Sequence, residues 1–255
     1  MSENIYKPGV HIGCAPKIGV CVMMEGIENN PPGAARVPPT TLIYLHGFAS
    51  SPASAKAVEF QQRFAQRGLD LRVPDLNVPD FEHLTLTAVL ARVAEEARAA
   101  APGSIGLIGS SMGGLAALHF ADRYRHAEAA QVTHLFLMAP ALDFASNRAK
   151  ALGERGLDTW RSSGYLTVHH HTYNETRRVH YGLYEDITRY DSFSVTLDTP
   201  MLIVHGVHDE SVDHQQSVRF AEDRPNVDLK LVDSDHKLLD QTDVMWDWMQ
   251  TFFGV

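Results

Sequence analysis

The sequence predicts an α/β protein with a mostly parallel central sheet, helices on both faces and a small cap insertion. Three observations predict it. Short apolar runs alternate with longer stretches whose apolar residues recur at helical spacing. Gly and Pro punctuate the ends of those stretches. One interval, residues 141–198, is far longer than an ordinary connection, and loops of that length are usually functional.

Residues 1–40 carry weak periodicity and a Pro/Gly-rich tract from Asn29 to Pro39, which reads as an N-terminal extension with a short edge-strand pair around Gly19–Met24. The domain proper then runs over 41–255. Thr41–Leu45 is the first strand and ends at His46-Gly47. Pro52–Arg67 is a helix stopped by Gly68. Leu69–Val73 is a strand closed by Pro74, and Leu84–Ala100 an Ala/Glu/Arg-rich helix stopped by Pro102-Gly103. Ile105–Ile108 and Met112–Arg125 form the next strand and helix. Leu135–Ala139, Met201–His205 and Val227–Val232 supply three further strands, with helices at Val212–Glu222 and Leu238–Phe253. Short apolar strands alternating with amphipathic helices mean a parallel sheet covered on both faces. Within 141–198, Asn147–Arg161 is helical and Gly164–Tyr181 alternates as a hairpin turning at Tyr173-Asn174-Glu175. This segment is expected to cap one end of the sheet.

Composition narrows the function. The chain has 255 residues, 44% of them hydrophobic and 21% charged, enough to bury a sizeable core. A net charge of −9 repels phosphate backbones and anionic lipid, so neither nucleic acid nor a membrane surface is an expected partner. No apolar run is long enough to span a bilayer, and the Met-Ser-Glu-Asn start lacks a basic then apolar layout, so the expected location is the cytoplasm. Cys14 and Cys21 have neither redox-pair nor zinc-knuckle spacing and read as ordinary thiols.

The strongest chemical signal is Gly109-Ser110-Ser111-Met112-Gly113, a G-x-S-x-G pattern between a strand and a helix. A serine on such a strained turn is pushed into the open at the C-terminal edge of the sheet. There the helix N-terminus favours developing negative charge. The two glycines are needed because side chains at those positions would strike the neighbouring strand or helix. A serine needs a base to take its proton and a carboxylate to orient that base. Behind a turn of this kind the acid precedes the histidine in the chain. Asp209 follows the strand Met201–His205, and His236 follows the strand Val227–Val232. The blander reading makes Asp209 a helix-capping carboxylate and His236 a helix-start histidine. Asp143, Glu210 and Asp213 are rival acids. The loop His46-Gly47-Phe48 supplies one backbone donor for an oxyanion, Phe48 N–H, and the residue after the serine supplies the other, Met112 N–H. His46 reads as a loop-orienting residue.

His169-His170-His171 invites a metal reading. Successive strand residues face alternate sides, however, and no carboxylate stands at ligand spacing, so no metal is expected. Trp160, Tyr165, Tyr173, Tyr181 and Tyr184 read mainly as packing within the cap.

The stretch Leu42–Pro52 followed by Ser54-Ala55-Lys56-Ala57 resembles the opening of small bacterial esterases of the YqiA type. The elbow Gly109–Gly114 and the Asp209 and His236 segments resemble the wider α/β-hydrolase superfamily. Trp160–Asp191 and Ser234-Asp235-His236 are similar to abhydrolase-domain acyl thioesterases. The resemblance covers residues 41–253 and implies the α/β-hydrolase fold, with Ser111 as nucleophile, His236 as base and Asp209 as orienting acid. It also implies Phe48 and Met112 as oxyanion donors. The expected activity is hydrolysis of a small-molecule carboxylic ester or thioester through an acyl-enzyme, without metal or organic cofactor, with a homodimer as a possible assembly. An aminopeptidase or acyl-peptide hydrolase is the alternative within enzymes, and a non-catalytic binding protein on the same fold the alternative outside them.

Overall fold

In the computed structural model, which describes residues 38–255, chain order runs β1 (Thr41–Leu45), α1 (Ala55–Gln66), β2 (Leu71–Arg72), α2 (Leu86–Ala100), β3 (Ile105–Ser110), α3 (Met112–Arg123), β4 (Val132–Met138), α4 (Phe144–Ser163). It continues β5 (Tyr165–His170), β6 (Glu175–His180), α5 (Gly182–Ile187), β7 (Met201–Gly206), α6 (Gln215–Ala221), β8 (Val227–Val232), α7 (Thr242–Phe253). Six strands form one sheet in the order β2-β1-β3-β4-β7-β8, every neighbouring pair parallel. The expected edge-strand pair around residue 20, Cys14 and Cys21 lie outside the described residues.

Strand alternation divides the core. Ile43, Leu45, Ile105, Leu107, Leu135, Leu137 and Ile203 face one side, against α2 and α3. Leu42, Tyr44, Ile108, Phe136, Met138, Leu202 and Val204 face the other, against α1 and α7. A fully buried side chain such as Phe60 or Phe253 contributes about 2–3 kcal/mol of transfer free energy. Apolar cover on both faces is why these runs are parallel strands and not one-sided ones.

Most expected boundaries shift by a few residues for identifiable reasons. The helix expected from Val212 starts at Gln215, because the Asp209 carboxylate takes the Ser211 and Val212 N–H groups into a turn of its own. The last helix starts at Thr242 and not at Leu238, which sits at φ +53 ahead of a single 3-10 turn. α4 reaches further at both ends than expected and is broken at Gly153 (φ +64), which no spacing in the sequence announces.

The 141–198 segment holds α4, the antiparallel β5–β6 hairpin and α5. Hydrogen bonds tie it to loops at the C-terminal end of the sheet. His171 N–H donates to Ala49 O (2.8 Å), and His180 N–H to Glu82 O (2.7 Å). Asp186 on α5 accepts from both the backbone and the hydroxyl of Thr87, at 2.8 and 2.6 Å, and so fixes α5 to the first turn of α2. Trp160 is buried, donates to Val179 O (3.1 Å) and packs edge-on against Tyr181. Tyr173, at 48% exposure, lies on the surface of the hairpin turn. Among the described residues no helix is long and apolar enough to cross a membrane.

Candidate active site

Ser111 sits between the last residue of β3 and the first of α3, at φ +54 and ψ −117. A non-glycine residue there stores about 1–3 kcal/mol of backbone strain and persists only where its surroundings fix it. They do. Ser111 N–H donates to Met138 O (2.9 Å), and Ser111 O accepts from Gly114 (2.9 Å) and Ala141 (3.1 Å). A Cβ on Gly113 would stand 2.0 Å from Leu45 O, and one on Gly109 2.6 Å from Gly113 O, so neither position admits a side chain. The steric argument from sequence therefore has definite partners: β1 for Gly113 and α3 for Gly109.

The ends of β7 and β8 approach closely enough that a Cβ on Gly206 would lie 2.3 Å from Ser234 O. That contact brings the Asp209 and His236 loops together. His236 Nδ1 lies 2.6 Å from Asp209 Oδ2, and His236 Nε2 lies 3.1 Å from Ser111 Oγ. A carboxylate only accepts, so the Nδ1 proton points to Asp209 and Nε2 is left to accept from the Ser111 hydroxyl. The Asp209 side chain is fully buried, whereas His236 is 26% exposed, open to a substrate. Burial pushes the Asp209 pKa up, but hydrogen bonds from His205 and His236, the nearby His236 charge and the Val212 N–H reverse this. The carboxyl is held well below its usual range.

His205 was not singled out by sequence reasoning. It ends the apolar stretch of β7, is fully buried, and places Nε2 3.1 Å from both Asp209 Oδ2 and Val212 O. Its Nδ1 lies 2.7 Å from the buried Ser217 hydroxyl on α6. Two acceptors at Nε2 fix the proton there, so His205 donates to the carboxylate that orients His236. The available signal was a histidine inside a strand buried on both faces, since a buried polar group requires partners. We expect His205→Phe, which removes one donor to Asp209 and strands the Ser217 hydroxyl, to lower kcat by about 10- to 100-fold with little change in KM. His205→Gln, keeping an N–H, should recover part of the loss. Steady-state kinetics on an aryl ester checks both, and equal kcat in all three proteins would refute the role.

The other predicted groups lie where their loops put them. His46 is buried, its Nδ1–H directed to Gly47 O (3.0 Å) and its Nε2 accepting from Leu76 N–H (3.0 Å), so it ties the Gly47-Phe48 loop to the strand-exit loop at Leu76. Among the described residues neither Phe48 N–H nor Met112 N–H has a hydrogen-bond acceptor. Asp143 instead caps α4 through Ser146 N–H, and Asp213 accepts from Gln215 N–H. Neither carboxylate is hydrogen-bonded to His236. His169 and His170 face alternate sides of the hairpin. His170 is buried, stacked on Tyr173 and edge-on to Phe81, while His171 stands on the turn by Ala49. Among the described residues no three His, Cys, Asp or Glu side chains are grouped to hold a metal ion. Lys56 on α1 has its pKa pushed down to about 8 by burial, with Asp235 and Asp209 pulling the other way.

Comparison with known proteins adds the following. Residues 41–253 match the family described as the Uncharacterised protein family (UPF0227). A candidate hydrolase from Agrobacterium vitis S4 superposes with a TM-score of 0.71 at 27% identity, over 84% of this chain and 87% of that one. Mouse α/β hydrolase domain-containing protein 10 superposes at 0.68 and 21% identity, over 86% of this chain and 95% of that one. Est1E from Butyrivibrio proteoclasticus superposes at 0.67 and 20% identity, over 85% and 86%. Among curated proteins no sequence matches significantly. The six-stranded parallel sheet with helices on both faces is the α/β-hydrolase fold.

Proposed function

From the premise that this chain belongs to the Uncharacterised protein family (UPF0227), whose family model matches most of it, we propose that it is a serine hydrolase acting on a small-molecule carboxylic ester or thioester. The observation that carries this reading is the continuous chain Ser111 Oγ, His236, Asp209, with links of 3.1 and 2.6 Å, on a serine held at positive φ.

The chemistry follows from those positions. His236 Nε2 accepts the Ser111 proton as Oγ bonds to the substrate carbonyl carbon, and the resulting imidazolium is stabilised by Asp209. Phe48 and Met112 N–H groups, both without acceptors among the described residues, take the oxyanion. The bond to the alcohol or thiol then breaks, His236 Nε2–H protonates the leaving group, and the acyl group stays on Ser111. A water, deprotonated by the same nitrogen, attacks the acyl-enzyme; the bond to Oγ breaks, the acid leaves, and His236 Nε2 returns the proton to Ser111 Oγ. No step requires a metal or an organic cofactor. The 141–198 segment, tied to the loop after β1 through His171 and Ala49, serves as the cap over this site.

The test is covalent labelling. A fluorophosphonate probe is expected to modify one residue, Ser111, identified by peptide mass. The protein should also hydrolyse 4-nitrophenyl esters with an optimum along the series from acetate to palmitate, while acyl thioesters followed by thiol release separate ester from thioester preference. An unmodified Ser111 together with no turnover of either class would reject the assignment and leave a binding protein on a hydrolase fold.

A further inference from the structure

Resting on the serine-hydrolase reading, we propose that Arg148 is a substrate-recognition residue, and that the ester this site takes carries a free carboxylate beside its scissile bond. Arg148 lies on the first half of α4 with its guanidinium in the notch between two aromatic rings. Its Cζ is 5.2 Å from the Phe48 centroid and 5.3 Å from the Phe144 centroid, and the rings meet edge-on at 77°. Phe48 is the residue whose N–H is assigned to the oxyanion, so the guanidinium sits one side chain away from the reacting carbonyl.

Among the described residues Arg148 has no hydrogen bond and no ion pair. Burial alone acts on it, pushing its pKa down, and no carboxylate offsets that burial. A guanidinium has five N–H donors in a planar fork. The two ring faces satisfy part of its charge but none of those hydrogen bonds. A partly buried cation without an acceptor is costly unless a partner arrives.

Basic side chains also gather on the neighbouring hairpin turn. Burial, and then the proximity of His169, Lys237, His236 and Arg148, lowers the pKa of His171 on the hairpin turn bound to Ala49. The ligand is assigned as a carboxylate because one permanently charged fork matches one bidentate monoanion.

The experiment compares esters that differ only in a blocked acid. On the acyl side, mono-4-nitrophenyl adipate is set against its methyl-blocked form. On the alcohol side, 4-carboxyphenyl butyrate is set against its methyl ester. Wild type is expected to favour the free acid by about 10- to 100-fold in kcat/KM in one of the two pairs. Arg148→Met keeps the aliphatic packing on Phe48 and Phe144 and should bring that ratio close to one, with Arg148→Lys in between. Should Arg148→Met fail to fold, wild type still decides: monomethyl adipate should slow fluorophosphonate labelling of Ser111 where dimethyl adipate does not. A wild type indifferent to the free acid in both pairs, or a preference that survives Arg148→Met, would overturn the proposal. An equal loss on both members of a pair would do the same, as would protection by inorganic phosphate but not by monomethyl adipate. If the probe and the blocked esters react while no acid preference appears, only this inference fails. If none of them reacts, the serine-hydrolase reading fails with it.

Discussion

Ser111→Ala is expected to lower kcat for ester hydrolysis by about 10⁴- to 10⁶-fold while leaving the melting temperature close to that of wild type. The size of the loss follows from what the hydroxyl does. In the proposed mechanism its oxygen forms the acyl bond, and the rest of the site, the two proposed N–H donors and the cap, can only assist attack by water. The small effect on stability follows from what the hydroxyl touches. Among the described residues Ser111 Oγ has one hydrogen-bond partner, His236 Nε2 at 3.1 Å, on a histidine that solvent also reaches. The strain at φ +54 belongs to the backbone and is the same for alanine. Steady-state hydrolysis of a 4-nitrophenyl ester, with thermal melts of both proteins, checks the pair of expectations. Retained turnover with intact folding would remove Ser111 from the mechanism.

What could be read from the sequence was what sterics and chain order impose on few residue types. The Gly109 and Gly113 flanks are legible because any Cβ there meets backbone at 2.6 and 2.0 Å. No rearrangement of flexible side chains can relieve such contacts. Asp209 and His236 are legible because strands of a parallel sheet deliver their following loops to the same edge. The inner strands β1, β3, β4 and β7 could be found because burial on both faces keeps them almost wholly apolar. Residues whose role depends on packing were harder to read. His205 looks like the last residue of an apolar run until the fold places Asp209, Val212 and Ser217 around its ring. Arg148 is one of several charged residues on α4, and only the position of Phe48 across from it separates it from a solvated face. The break at Gly153 goes unread for a related reason: α4 also holds Gly156, which keeps helical geometry, so a glycine in a helical pattern does not by itself announce a break.

Asp209→Asn is expected to cost about 10³- to 10⁴-fold in kcat, and the hydrogen bonds around the carboxylate explain why so small a change would do so much. Oδ1 accepts from Ser211 N–H at 2.8 Å and Val212 N–H at 2.7 Å, while Oδ2 accepts from His236 at 2.6 Å and His205 at 3.1 Å. All four partners are donors, so the amide nitrogen of asparagine must face two of them in either orientation. The backbone N–H groups cannot change, whereas the imidazoles can move a proton, so the oxygen stays on the Ser211 side and the nitrogen turns to the histidines. His236 must then accept at Nδ1, which places its proton on Nε2, facing the Ser111 oxygen it should deprotonate. The base becomes a donor, and the reaction begins from the wrong tautomer. Folding should survive better than activity, because only the Oδ2 side is mismatched. The variant would nevertheless lose the acid-labile stabilisation of wild type. A carboxyl whose pKa is lowered on folding stabilises the native state above its unfolded pKa, and that contribution disappears as pH falls through the native value. The melting-temperature gap between wild type and Asp209→Asn should therefore be widest at neutral pH and narrow on acidification. Thermal melts across an acid series measure it. A gap independent of pH, or near-normal kcat in the variant, would mean that Asp209 is a structural turn residue and that the acid of the site lies elsewhere.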